Sequence, residues 1–271
     1  MIQGRYLLGV EDEGKTAAFL EQFAGLRTDP AEIQRLGREA AAIRARRPAP
    51  EADAFPCPPH FADHLRKVEE RPVFRGLFRD RNPSFVLVSL PDLIPLQLHL
   101  DFSYALHVIP AGIDEPAVLN VCLPPEGGPI EAHGGMGEDL SFTVCTRDMN
   151  LRVTETHMDT EEGISVTFTI GRTAVFLVVV RRGRRLFVKD GTHRAVGLLA
   201  RGASQAPAVL VRDDAGGPLF QDGRDAEILL SPHPPALADF LNPALHLAHK
   251  WRRGLKVIRI ASDEFVVPDE I

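Results

Sequence analysis

The longest unbroken apolar run of the chain, Ala174 to Val180, opens a patterned stretch that extends to Val211. Val175 to Val180 is an unbroken apolar run rich in β-branched residues, and it predicts a strand buried on both faces. Gly183, set among Arg181, Arg182, Arg184 and Arg185, predicts a turn, with Leu186 to Val188 as the returning strand of a hairpin. The polar stretch Asp190-Gly191-Thr192-His193-Arg194 then leads into a helix over Ala195 to Leu199, which Gly202 should stop. Pro207 and the apolar residues after it predict another short strand.

Towards the N-terminus the pattern is helical. Thr16 to Leu26 reads as one helix, and Asp29 to Arg47 as another, capped by Asp29, with Pro30 in its first position and Ile33, Leu36 and Ile43 on roughly one face. Arg44, Arg46 and Arg47 suit the negative end of its dipole, and a solvated terminus is expected there. The proline-rich Arg47 to His60 reads as an extended connection, and Phe61 to Glu70 as a helix stopped at Pro72. Phe85 to Ile170 reads as β-rich, with runs at Ala105 to Ile109, Val118 to Leu123, Leu140 to Cys145, Leu151 to Thr156 and Ile164 to Ile170. Pro124 to Asp139 is expected to be a surface loop, with a lid as the functional alternative. After Val211 an acidic loop should follow. Pro235 to Arg253 is expected to form a helix with His246 and His249 on one solvated face, and Leu255 to Ile260 a final strand.

Composition narrows the class. The 271 residues, 44% hydrophobic and 25% charged, describe an ordinary soluble protein of one large or two modest domains. No apolar run reaches the ~18 residues that a membrane span needs, and no signal core is recognisable. Cys57, Cys122 and Cys145 match neither a disulfide framework nor a zinc pattern, so a reducing cytoplasm is the expected location. A formal net charge of −6 gives no global attraction to nucleic acid.

The loop before Ala195 carries the strongest chemical signal. The first N–H groups of a helix lack internal partners and lie at the positive end of its dipole, an arrangement suited to an anion such as phosphate. Gly191 would let backbone approach a ligand, and His193 and Arg194 would add donors; alternatively, Asp190 and Thr192 cap the helix and the other two bond to nearby carbonyls. Gly9 to Thr16 also fits G-x-x-x-x-G-K-[ST]. Its consecutive Glu11, Asp12 and Glu13 would repel a triphosphate, so acidic residues near a helix start are the expected reading. Gln97, His99 and Asp101 alternate, which would point them to one strand face, with Asp101 as a general base or, together with Asp190, a magnesium ligand. The four arginines are expected to be a solvated hairpin tip, the alternative being attraction of an anionic partner.

The stretch LFVKDGTHRAVGLLARG followed by APAVLV resembles the nucleotide-binding segment of the ParB/sulfiredoxin-like superfamily, where a [D/G]-G-x-H-R loop opens a helix and a short strand follows. Val86 to Asp101 is similar to that superfamily's opening strand. Thr192 stands where sulfiredoxin has its catalytic cysteine, which argues against sulfinic-acid reduction; the loop is closest to the D-G-H-H-R of the free-serine kinases.

The resemblance implies a nucleotide-binding α+β fold with a ParB/sulfiredoxin-like mixed-sheet core. That core is expected over 81–215 with a β-rich insertion at about 106–170, after a mainly helical region (1–80) and before a C-terminal helix and strand (216–271). Gly191, Thr192, His193, Arg194 and Gln97 would bind nucleotide or phosphate, Asp190 and Asp101 would hold Mg2+, and Asp190, Asp101 and His193 would be catalytic. The implied cofactors are ATP or another nucleotide and Mg2+. The expected activity is phosphoryl transfer or nucleotide hydrolysis on an unidentified small-molecule or protein substrate, with neither nucleic acid nor membrane as a partner. Two other classes stay open: a non-catalytic ligand-sensing or protein-interaction module, and nucleic-acid-directed binding or cleavage.

Overall fold

Strand β1 (Ile2–Leu7) is followed by α1 (Glu13–Ala24), α2 (Pro30–Ala45), β2 (Ala54–Pro56), α3 (Ala62–Glu70), α4 (Pro72–Phe78) and β3 (Ser84–Ser89). The short strands β4 (Ile94–Pro95) and β5 (His99–Asp101) lead to α5 (Phe102–His107) and α6 (Glu115–Cys122). Then come β6 (Ala132–Met136), β7 (Phe142–Thr146), β8 (Leu151–Asp159) and β9 (Ser165–Arg172). The hairpin β10 (Val178–Arg182) and β11 (Arg185–Asp190) precedes α7 (Thr192–Ala200) and β12 (Gln205–Arg212), and α8 (Ala226–Leu230), β13 (His246–Trp251) and β14 (Lys256–Ile260) follow. The computed structural model describes residues 2–11, 13–24, 29–127, 132–136, 141–146, 151–159, 165–172, 176–212, 225–251 and 256–261.

The protein is mixed α/β with several sheets. It divides into one unit of Met1–Gly127 with Val175–Arg252 and another of Gly128–Ala174 with Arg253–Ile271. In the first, a six-stranded sheet runs β2-β3-β12-β10-β11-β4, with β10–β12 and β11–β4 parallel and its other pairs antiparallel. An antiparallel sheet of order β13-β1-β5 accompanies it. In the second, β14-β7-β6 form an antiparallel sheet and β8–β9 a two-stranded ribbon. Of the predicted insertion, α6 lies in the first unit and β6 to β9 in the second.

The run that dominates the sequence folds in the predicted order. Gly183 turns the hairpin at φ +60°, and Gly202 ends α7 at φ +94°, where the Ala203 N–H bonds to the Leu198 carbonyl at 3.0 Å. Val179, Val180, Val209 and Val211 are buried, as expected for strands covered on both faces; the predicted start at Val175 lies outside the described residues. Helix α7 packs on α5 at Gly197, where a Cβ would stand 2.2 Å from the Ala105 carbonyl oxygen.

Several expectations are corrected. The runs at Ala105 to Ile109 and Val118 to Leu123 belong to helices α5 and α6. Each is started by a cap: Asp101 accepts from the Tyr104 N–H (2.8 Å) and Asp114 from the Ala117 N–H (2.9 Å), with Pro116 in the first turn of α6. Pro235 to Arg253 holds a 3-10 turn at Leu237–Leu241 and strand β13, because β1 offers a complete antiparallel edge to 246–251. His246 and His249 are therefore buried strand residues. Within Pro124 to Asp139, 132–136 pair with β7; 128–131 and 137–139 lie outside the described residues, as do 213–224 of the acidic loop. Ile43 is exposed, whereas Ile33, Gly37, Ala40 and Arg44 form the buried face of α2.

The terminus of α2 is only partly solvated: Arg46 is exposed, but Arg44 and Arg47 turn to a carboxylate. Arg44 is buried and donates from Nε to Asp239 Oδ2 at 2.8 Å, and also to the carbonyls of Leu8 and Leu245, while Arg47 donates from Nη2 to the same carboxylate at 2.7 Å. Several residues of the Gly9–Thr16 stretch are engaged by neighbouring elements. A Cβ on Gly9 would lie 2.2 Å from the Gly37 carbonyl oxygen, Tyr6 donates to Glu11 (2.6 Å), Lys15 pairs with Glu227 (2.7 Å), and Thr16 is buried. Those contacts support the helix-start reading of this octet. No helix among the described residues is long and apolar enough to cross a membrane.

Candidate functional site

Gly191 ends β11 and caps α7 at φ +88°, a conformation that favours glycine. Backbone crowds it: a Cβ there would lie 3.1 Å from Leu177 Cα. The first helical bond of α7 runs from the Ala195 N–H to the Gly191 carbonyl (3.0 Å), so the N–H groups of Thr192, His193 and Arg194 precede the internal ladder. The Thr192 side chain is buried, and Gly191, in the N-cap position, has no side chain to cap the helix.

His193 is held by the other segment that carries the resemblance. Its Nε2 accepts the Asp101 N–H at 3.1 Å, and its ring meets Tyr104 edge-on at 5.5 Å. An acceptor Nε2 fixes the neutral ring with its proton on Nδ1. Burial, and then the nearby Arg194 charge, push its pKa down to about 4. The same guanidinium acts on Cys122, whose thiol burial nevertheless pushes up to about 12.

The structure thus brings Asp101 and His193 together and sets Gly191, Thr192 and Arg194 beside them. The Asp101 Oδ1 caps α5, so that carboxylate has a structural task beyond any chemical one. Asp190 is half-buried at the end of β11, paired in register with Val178. Gln97 is exposed and precedes β5, outside the strand on which His99 and Asp101 alternate. Among the described residues no group of three or more His, Cys, Asp or Glu is arranged to hold a metal ion. A surface depression of about 470 Å3 lies along α4, between Phe74, Arg75, Phe78 and Arg79, and includes no residue of the loop.

A histidine pair beside this loop is not visible in the sequence. His99 on β5 and His249 on β13 flank the central strand β1, and their Nε2 atoms are 3.2 Å apart. With centroids 5.2 Å apart and ring planes at 25°, the rings meet nearly end to end, so one donates N–H to the other's lone pair. Gly4 makes the space, since a Cβ there would lie 2.4 Å from His249 Nε2. Burial, followed by the charges of His249 and His193, lowers the His99 pKa to about 3; burial lowers His249 as well. Phe19 and Tyr6 pack around the His99 ring at 4.9 and 6.4 Å. His246 and His249 are three residues apart and show no period-two pattern, and the helical reading of this segment hid the position of His249 opposite Gly4.

At the hairpin tip, Arg181, Arg182 and Arg184 are exposed, and Arg184 lies 3.5 Å from Glu51. Arg185 donates to the Ser231 carbonyl at 2.9 Å. No protein-family model, curated protein or solved structure matches this chain.

Proposed function

We propose that the protein binds a nucleotide through its phosphates at the start of α7, on a ParB/sulfiredoxin-like core, and couples that binding to phosphoryl transfer or hydrolysis. The observation that carries the reading is the Asp101–His193 hydrogen bond, which joins the only two segments that resemble the superfamily. Arg194 and the leading N–H groups of α7 supply the anion's donors, and left-handed Gly191 lets the chain turn into the helix there. His193 is a positioning residue, tying α7 to β5 and α5. With Mg2+, the carboxylates of Asp190 and Asp101 would be the protein's oxygen donors; magnesium keeps most of its sites for phosphate and water.

Isothermal titration with ATP, ADP, CTP and GTP in magnesium tests this. Binding of at least one nucleotide is expected, weakened about tenfold or more by Arg194→Ala, as loss of a charge-assisted contact implies. No binding, or binding indifferent to Arg194, would sink the proposal.

One observation favours a second reading, a ligand-sensing module without turnover. Two of the three residues expected to be catalytic have polar atoms committed to backbone: His193 Nε2 to the Asp101 N–H and Asp101 Oδ1, the expected general base, to the Tyr104 N–H. Recovery of bound nucleotide unchanged after long incubation selects this reading; release of product selects the enzyme.

A further inference from the structure

Helix α4 differs from α2 and α3 in how its charges are arranged. On α2, Arg35 pairs with Glu32 at 2.7 Å and with Glu39 at 2.6 Å, and on α3 Arg66 lies 3.4 Å from Asp63 and 3.5 Å from Glu70. Those acids stand three or four residues from their arginines, where helix geometry brings side chains together. The α4 sequence PVFRGLF contains no acid. Its Arg75 and the C-capping Arg79 are four residues apart, a spacing at which like charges repel. Arg75 donates from Nε to the Glu69 carbonyl at 3.3 Å, while its Nη groups and the whole Arg79 guanidinium have no acceptor among the described residues. The helix dipole favours cations at this end but gives neither guanidinium a hydrogen bond.

Both arginines border the depression of about 470 Å3, a volume within the range of small-molecule sites. Buried Phe74 and Phe78 give it an apolar lining, to which Pro72 and Pro83 add. Gly76, between the two arginines in sequence, belongs to the same lining. Glycine inside a helix is unfavourable relative to alanine, and no contact requires it here, since a Cβ at Gly76 would meet no atom within 4 Å. The missing side chain therefore leaves the depression open.

We propose that this depression binds a small organic monoanion, a carboxylate carried on an aromatic body. The aromatic part covers Phe74 and Phe78, where ring contacts add to burial, and the carboxylate accepts from Arg75 and Arg79. Charge selects the monoanion, because two guanidinium groups and the one carboxylate of Glu69 line the site. A dianion would meet the Glu69 charge without a third cation, and a neutral ligand would leave the guanidinium groups unmatched. No residue of the loop before α7 lines the depression, so this site is separate from the proposed nucleotide site.

Isothermal titration of the full chain with naphthoate, indole acetate and phenylacetate tests the proposal. At least one acid should bind saturably with a dissociation constant of about 1 mM or tighter, and its neutral amide about tenfold or more weakly. Arg75→Gln with Arg79→Gln should weaken the acid about tenfold or more and shift the amide less than about twofold. Gly76→Leu, which fills the depression from a better helix former, should abolish binding of both while the thermal midpoint stays level or rises. The arginine variant changes only exposed side chains, so it decides the matter if Gly76→Leu melts early. Arg194→Ala at α7 should change binding of the acid less than about twofold, which keeps failure of this site distinct from failure of nucleotide binding. No saturable binding of any of the three acids, acid and amide bound equally, or binding that survives in a folded Gly76→Leu overturns the proposal. Loss of binding in Arg194→Ala does so too, because it would put the anion at α7.

Discussion

His193 shows how a residue read as a ligand contact can first be a structural acceptor. Its Nε2 receives a backbone N–H, and the ring is buried as the neutral form. Its folded pKa of about 4 lies below the unfolded value, so on acidification the unfolded chain takes up the proton first. The stability contribution is therefore complete above about pH 6.5 and lost as pH falls towards 4, at most about 3 kcal/mol for this residue. His99, lowered to about 3, acts in the same direction. Urea unfolding at pH 7 and pH 4.5 should show this loss. His193→Gln, whose amide oxygen still accepts the Asp101 N–H without titrating, should make the profile flatter; a wild-type profile already flat would rule out burial of the neutral ring. The sequence pointed to His193 as chemically important. It could not show which ring nitrogen would be occupied, because the donor comes from a residue 92 positions away.

At the scale of elements, the end of α2 is fastened to the turn before β13 by one carboxylate. Asp239 receives Arg44 and Arg47 and also accepts the Ala236 N–H at 3.2 Å. Breaking such a buried pair leaves an uncompensated charge, so Arg44→Ala or Asp239→Ala should each cost about 3–5 kcal/mol in denaturant unfolding. Arg47 is partly exposed, and its truncation should cost about 1 kcal/mol. The double variant Arg44→Met with Asp239→Leu should recover much of the loss, because no buried charge is then orphaned. Arg44 read as a solvated helix end because helical arginines are usually exposed and the acidic partner lies 195 residues further on. The helices α5 and α6 were more legible: Asp101 and, above all, Asp114 with Pro116 are local start signals, which the apolar runs behind them outweighed.

Across the whole molecule, apolar burial is uneven. Strand β12 is buried from Ala206 to Val211 and β10 at Val179 and Val180, whereas β8 and β9 are exposed along most of their described length. Amide hydrogen exchange should therefore be slowest in 178–180 and 206–211 and much faster in 151–159 and 165–172. Equal protection of the two regions would contradict this division. The sequence by itself determined the hairpin, loop, helix and strand from 178 to 212, because a β-branched run, a turn glycine and a stop glycine act over a few residues. Only tertiary structure decided that 246–251 is a strand, that Arg44 is buried, and that His99 meets His249. A short apolar run suits either period, and what selects between them is the partner that satisfies its backbone, here β1, which comes from the opposite end of the chain.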